Sequence, residues 1–374
     1  MKHLASGPAH RGEMLAIAAM CRSALTGDPQ AAAGALAALE RSDAFSTLVG
    51  RARLWSACEK GLVRSGHQVP PFMAARIAAE RERTMLGNTR VLTLARMVFP
   101  CFAGRDLPAL AFKGPFHQRQ LHGDWFTRRS SDLDILVPRA RFEEALRTLE
   151  STGFRARSGT SRWWKQSLGE VHLAFPGGGV IDLHHRLQQP GCPSPRNLDE
   201  FFASAAVERL GEASIAVPSL PHALLISALN FCKELFHRKP SARYAYDFAA
   251  GVMRLPLDRH AEFAALVERQ GLAGPVGFAL AACQTLFGPL PGFPAAGARH
   301  PGMAQWASRI DLLQLVFDPP SEEARWPRRR TLLWQFCGGE VSARCSFDFA
   351  GEAGRVALGE VLRRAAPATP IHAA

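Results

Sequence analysis

The segment Ser130-Ser131-Asp132-Leu133-Asp134-Ile135-Leu136-Val137, closed by Pro138, constrains this chain more than any other. Side chains of a β-strand alternate between its two faces. Read as a strand, Asp132 to Val137 sets Asp132 and Asp134 on one face and turns Leu133 and Ile135 toward a core. Two carboxylates side by side repel each other unless a cation lies between them. A hard divalent ion held by oxygens is the natural partner, and Mg²⁺ usually arrives with phosphates. A strand with one solvated polar face has the same pattern, and a bare Asp-x-Asp leaves both readings open.

The surroundings narrow the choice. Glu170 to Phe175 and Val180 to His185 read as two strands joined by Pro176-Gly177-Gly178-Gly179, a hairpin turn. Within Val180-Ile181-Asp182-Leu183-His184 the same alternation puts Asp182 and His184 on one face, and turns His185 to the other in a structural role. If this strand lies beside the first, three carboxylates converge. Such a cluster can hold two metals and activate a hydroxyl for attack on phosphorus. Upstream, the apolar run Leu107 to Phe112 reads as a buried strand closed by Lys113-Gly114-Pro115. A glycine there lets backbone N–H groups approach a phosphate, and the lysine beside it can neutralise one. Arg128 and Arg129, just before the aspartates, can also meet phosphate.

The remainder reads as helical. Leu54, Cys58 and Leu62 recur at four-residue spacing, Ala31 to Leu39 is nearly all helix former, and a helix is expected from Pro71 to about Phe99, ended by Pro100 and Gly104. A short helix is expected within Phe116 to Trp125, and an amphipathic one from Arg141 to Leu149. After Pro190 no further strands are expected. Leu225, Ala228, Leu229, Cys232, Leu235 and Phe236 mark a buried-face helix, and others are expected over Tyr246 to Met253 and Ile310 to Val316. The expected architecture is α+β. A helical region spans 1–95, a small mixed sheet 96–190, a second helical region 191–290, and a mixed region with a Pro/Gly-rich loop 291–374.

Composition excludes more than it selects. In 374 residues, 47% apolar and 21% charged, there is no apolar run long enough to span a bilayer. The short patch Leu15 to Cys21 makes a poor secretory signal. The eight cysteines include no Cys-x-x-Cys, and the histidines include no His-Glu-x-x-His, which argues against zinc and for a reducing, cytoplasmic setting. No Gly-x-Gly-x-x-Gly, P-loop or Gly-x-Ser-x-Gly stands at a strand–helix junction. The net charge of +12 is carried almost wholly by arginine. That bias is what a GC-rich genome produces, and it also suits a surface that attracts nucleotides or nucleic acid. Trp163-Trp164 reads as core or lid rather than a base-stacking platform, and Arg328 to Arg330 as a solvated face.

The order of apolar strand, Lys113-Gly114, short helix, Arg128, Ser130-Ser131-Asp132-Leu133-Asp134-Ile135-Leu136-Val137, amphipathic helix, hairpin and Asp182-Leu183-His184 resembles an uncharacterised nucleotidyltransferase-like family within the DNA polymerase beta-type superfamily. The resemblance spans about residues 88–255 and takes in Leu220-Pro221-His222 and Tyr246-Asp247. It implies Asp132 and Asp134 as metal ligands and Asp182 as the third catalytic carboxylate. It also implies Lys113, Gly114, Arg128 and Ser131 on the nucleotide side, to which His184 is added. The implied cofactor is Mg²⁺, or Mn²⁺. The implied substrate is an NTP, its NMP passing to an acceptor such as a sugar, antibiotic, peptide or protein; nucleic acid is not favoured and no membrane is involved. The chain departs from the family pattern at His185, where an aromatic is usual, at Asn230, where a histidine is common, and at Pro100, expected to interrupt the helix before the first strand. Two alternatives are a non-catalytic nucleotide- or partner-binding module of the same fold, and a glycosyltransferase using Asp-x-Asp to hold a metal and a nucleotide sugar.

Overall fold

The computed structural model describes residues 10–37, 43–156, 168–237, 239–293 and 312–319, with a few isolated positions beyond. Trp163-Trp164, Arg328 to Arg330 and most of the Pro/Gly-rich loop lie outside the described residues. Four helices, α1 (Arg11–Thr26), α2 (Pro29–Ala37), α3 (Asp43–Ala52) and α4 (Trp55–Arg64), precede a long helix α5 (Pro71–Ala103). The sheet then forms with its connecting helices: β1 (Leu110–Ala111), α6 (Gly114–His122), β2 (Leu133–Leu136), α7 (Phe142–Ser151), β3 (Arg155–Ala156), β4 (Glu170–Ala174) and β5 (Val180–His184). After α8 (Asp199–Ala203) come β6 (Ala206–Leu210) and β7 (Ala213–Val217), followed by α9 (Leu220–Phe236), α10 (Ala242–Arg254), α11 (His260–Arg269) and α12 (Ala273–Phe287). None of the described helices is long and apolar enough to cross a membrane. The fold is α+β.

The main sheet runs in the order β1-β2-β5-β4-β3. β2 and β5 are parallel, with Asp134 opposite Asp182 and Leu136 opposite His184. β1 joins β2, and β4 joins β5, antiparallel. One face of the sheet carries Leu133, Ile135, Val171, Leu173, Ile181 and Leu183, packed on Val98, Phe102, Phe142, Leu146 and Phe154 from the helices α5 and α7 and the following turn. The opposite face carries Asp134, Asp182 and His184. The alternation of apolar and acidic residues along β2 and β5 thus decides which side is core and which side holds the charges. A second core unites α1 to α4 with α9, α10 and α12, and Leu110, Phe112 and Leu136 join it from the sheet.

Two expectations are corrected. α5 passes through Pro100 to Ala103 rather than ending near Phe99. Pro100 and Arg96 both face solvent, so water can satisfy the Arg96 carbonyl that loses its helical donor. Strands also do not stop at Pro190. The β6–β7 hairpin packs on α5 beside β1, turning at Gly211 with φ +63° and burying Ile215 and Val217. Its outer strand is half-exposed, so it lacks the apolar run that marks a buried strand.

Candidate active site

Three elements deliver the polar face. β2 and β5 place Asp134 and Asp182 as direct lateral partners, and β4 adds Glu170 opposite His184 and His172 opposite Asp182. The turn between β1 and α6 delivers Lys113. Its Nζ donates to Asp134 Oδ1 at 2.8 Å, and His184 Nε2 lies 3.1 Å from the same oxygen. Burial pushes the Asp134 carboxyl toward neutrality, but Lys113 and His184 outweigh it and hold the group well below the usual carboxylate range. The lysine responds in kind: burial opposes its charge, and Asp134 more than compensates, raising its pKa. His184 is packed edge-on against Phe112, with ring centres 5.2 Å apart.

Asp132 stands just ahead of β2, half-buried, and among the described residues only Ser131 Oγ donates to it, at 3.3 Å. Burial comes first, then the charges of Asp134 and Asp182, and together they push its pKa up to about 6. Asp182 is raised too, by burial and then by Asp134. His172 offsets part of this, with Nδ1 at 2.6 Å from Asp182 Oδ1, while its Nε2 lies 3.3 Å from Glu170 Oε1. The face therefore carries more negative charge than its own cations neutralise.

That excess tests whether a divalent ion suits the residues present. One donor atom each from Asp134, Asp182 and His184 lies within 4.8 Å of the others, and the same holds for Glu170, His172 and Asp182. Oxygen and imidazole donors at this spacing suit a divalent cation. Lys113 Nζ already rests on Asp134 where a positive charge is wanted. Asp132 is outside both donor groups among the described residues, although its raised ionisation registers the same crowding of charge. The donor set of Asp134, Asp182 and His184 fits a metal, and Asp132 stands at its border.

The loop bearing the motif is held from behind. Asn88 on α5 donates through Nδ2 to the carbonyls of Trp125 (2.6 Å) and Arg128 (3.0 Å), and its Oδ1 accepts from the Ser130 N–H at 2.7 Å. Gln118 on α6 accepts from the Arg128 N–H at 2.9 Å and donates to Ser130 Oγ at 3.2 Å. α5 comes so near that a Cβ on Gly87 would sit 2.7 Å from the Ser130 carbonyl oxygen. Gly114 opens α6 with φ +62°, a left-handed conformation that favours glycine.

Arg128 is committed elsewhere. Its guanidinium pairs with Asp247 Oδ1 on α10, which also accepts from His122 Nε2 at 2.8 Å. Asp247 is nearly inaccessible; burial works against its charge, but Arg128 and His122 hold its pKa far down. His122 in turn stacks on Tyr246 with ring centres 5.5 Å apart.

Of the residues expected from the sequence, Asp134, Asp182, His184 and Lys113 come together on one face. Asp132 borders them, Ser131 touches Asp132, and Gly114 begins α6. Arg128 faces Asp247. Residues the sequence reading missed are Glu170, His172, Asn88 and Gln118. The first two were open to discovery: counting outward from the glycine turn pairs Ala174 with Val180, His172 with Asp182 and Glu170 with His184. Asn88 and Gln118 carried no such signal.

Comparison with curated proteins gives no match. A family described as uncharacterised nucleotidyltransferase matches over residues 40–288, a span that holds β1 to β5, the acidic face and Asp247, and the chain belongs to that family.

Proposed function

We propose that the protein transfers a nucleoside monophosphate from an NTP to a hydroxyl or similar acceptor, with Mg²⁺ held by Asp132, Asp134 and Asp182. Family membership supports nucleotidyl transfer in general. The single observation that carries the finer reading is the lateral pairing of Asp134 with Asp182 on one face, bordered by an Asp132 whose ionisation is pushed up to about 6. When bound by these carboxylates, the ion would supply positive charge beside the phosphoryl oxygens and would lower the pKa of an attacking hydroxyl. The chain's own residues do the rest. Asp134 and Asp132 set the position of the α-phosphate. Asp182, raised in pKa and therefore the better base, takes the proton as the acceptor oxygen attacks the α-phosphorus. The bond from that phosphorus to the bridging oxygen breaks, and pyrophosphate leaves. His172, hydrogen-bonded to Asp182, carries the proton onward to Glu170 and solvent. His184 and Phe112 fix the Asp134 carboxylate, and Gly114 leaves room for phosphate at the start of α6.

A second reading is favoured by one observation. Lys113 on Asp134 and His172 on Asp182 engage the two carboxylates from within, as in a module that keeps the fold and has lost turnover. The glycosyltransferase alternative has no such support. Before Asp132 the described residues form helices and a two-residue strand, with no alternating α/β half to hold a nucleotide sugar. Pyrophosphate release from each NTP across a wide acceptor panel, beside an Asp132→Asn/Asp134→Asn control, decides between the readings. Metal-dependent release absent from the control supports transfer. Metal-dependent NTP binding with no release from any pair supports the module.

A further inference from the structure

Of the three cations that the sequence assigns to phosphate, two are spent on internal carboxylates, Lys113 on Asp134 and Arg128 on Asp247, and the third, Arg129, is exposed with its side chain beside Gly87. A triphosphate brings three to four negative charges, and each one it buries needs a partner. Two further cations with no carboxylate partner among the described residues stand on α9 and α10.

On α9, Lys233 shares a face with Asn230, three residues before it, and His237, four after. Asn230 Oδ1 accepts from Gln188 at 3.3 Å and His237 Nε2 lies 3.1 Å from Gln189 Nε2, so this face abuts the segment that leaves β5 just past His184. Lys233 is half-buried and has no carboxylate within ion-pair reach among the described residues. Burial disfavours its charge most, the like charge of Lys113 adds to that, and Glu170 and Glu234 oppose it.

On α10, Arg243 lies one turn before Asp247, on the face that meets Arg128. Its Nη2 donates to the Tyr244 hydroxyl at 2.6 Å and its guanidinium rides 4.4 Å over that ring. Its Nε is buried with no hydrogen-bond partner among the described residues. An arginine nitrogen orphaned in this way points to a missing acceptor. Arg53, just past α3, lines one cavity with Arg128, and Arg243 and Arg128 both act on it as like charges.

We propose that Lys233 and Arg243, reaching in from α9 and α10, grip the polyphosphate tail of the nucleotide opposite the carboxylates of β2 and β5. Arg243 supplies a planar fork suited to two phosphate oxygens, and Lys233 a point charge between the tail and Lys113. The acidic side would then seat the metal and the α-phosphate, and the helical side the leaving pyrophosphate. The inference rests on the nucleotidyl-transfer reading, yet it predicts polyphosphate binding whether or not turnover occurs.

The test is calorimetric titration of inorganic tripolyphosphate, with and without Mg²⁺, into the full chain. Lys233→Met and Arg243→Met should each weaken binding by about tenfold or more, the usual loss for a charge-assisted contact. Lys233→Arg and Arg243→Lys should retain most of it, which separates lost charge from lost folding. Lys239→Met, exposed just beyond α9, should bind as wild type. Undiminished binding in both methionine variants overturns the proposal, as does a wild-type protein that binds no tripolyphosphate. If both variants release pyrophosphate from an NTP with wild-type KM, the grip is refuted and nucleotidyl transfer stands. If tripolyphosphate binding falls in the variants of a protein that turns over no NTP, the grip stands and transfer is refuted.

Discussion

Asp132→Asn should stabilise the metal-free protein while abolishing its response to metal. The Asp132 carboxyl ionises near pH 6 in the fold, against 3.8 when free, because it is partly buried beside Asp134 and Asp182. A tenfold change in proton affinity is worth about 1.4 kcal/mol, so an ionised Asp132 costs the native state about 3 kcal/mol. The sign follows from linkage. A raised pKa means that the folded protein binds the proton more tightly, so this group's contribution to stability is highest below about pH 4 and is lost as pH rises through about 6. Asparagine keeps the shape and drops the charge, but leaves a polar group half-buried, so the net gain should be about 1–3 kcal/mol at about pH 8. Urea or thermal denaturation in EDTA measures this. The variant should melt several degrees above wild type at about pH 8, and the gap should close near pH 4. Added Mg²⁺ should raise the wild-type melting point and leave the variant unmoved, since only a ligand bound to the native state shifts it. An Asp132→Asn protein less stable than wild type in EDTA at alkaline pH, or an equal gap at both pH values, would refute the reasoning.

Further outcomes follow from the same contacts. Mn²⁺ affinity should fall as pH drops through about 6, as Asp132 takes up its proton, and a titration of Mn²⁺ binding against pH reads this directly. Asp247→Ala leaves Arg128 charged and buried without its partner, and denaturant unfolding should show a loss of about 3–5 kcal/mol. Asn88→Ala removes three hydrogen bonds from the loop ahead of Asp132, so stability should drop by about 1–3 kcal/mol and hydrogen exchange in residues 125–130 should quicken. Gly87→Ala should push that loop outward, because its Cβ would lie 2.7 Å from the Ser130 carbonyl oxygen, and should weaken Mn²⁺ binding more than overall stability.

The sheet was legible because β2 and β5 are short, alternate strictly and end at recognisable breakers. One face had to be core, and the register then forced Asp134 and Asp182 to the other. The glycine turn between β4 and β5 carried enough information to find Glu170 and His172 as well. What stayed hidden depends on distances between segments far apart in sequence. Asn88 sits in the middle of a long helix, where one polar residue looks like any solvated position, and only the fold shows that it holds the loop 125–130. The commitment of Arg128 to Asp247 was invisible for a similar reason: both residues were noticed, but 119 positions separate them. The β6–β7 hairpin escaped because its outer strand alternates weakly. Pro100 misled because a proline in the exposed last turn of a helix costs less than one in its middle.

The central claim is that the carboxylates of two neighbouring strands share a divalent ion. Crystals grown with Mn²⁺ and a non-hydrolysable NTP, measured at the manganese absorption edge, test it most directly. The account predicts an anomalous peak within coordination distance of oxygens of Asp132, Asp134 and Asp182. A nucleotide-bound structure with no peak there would contradict it.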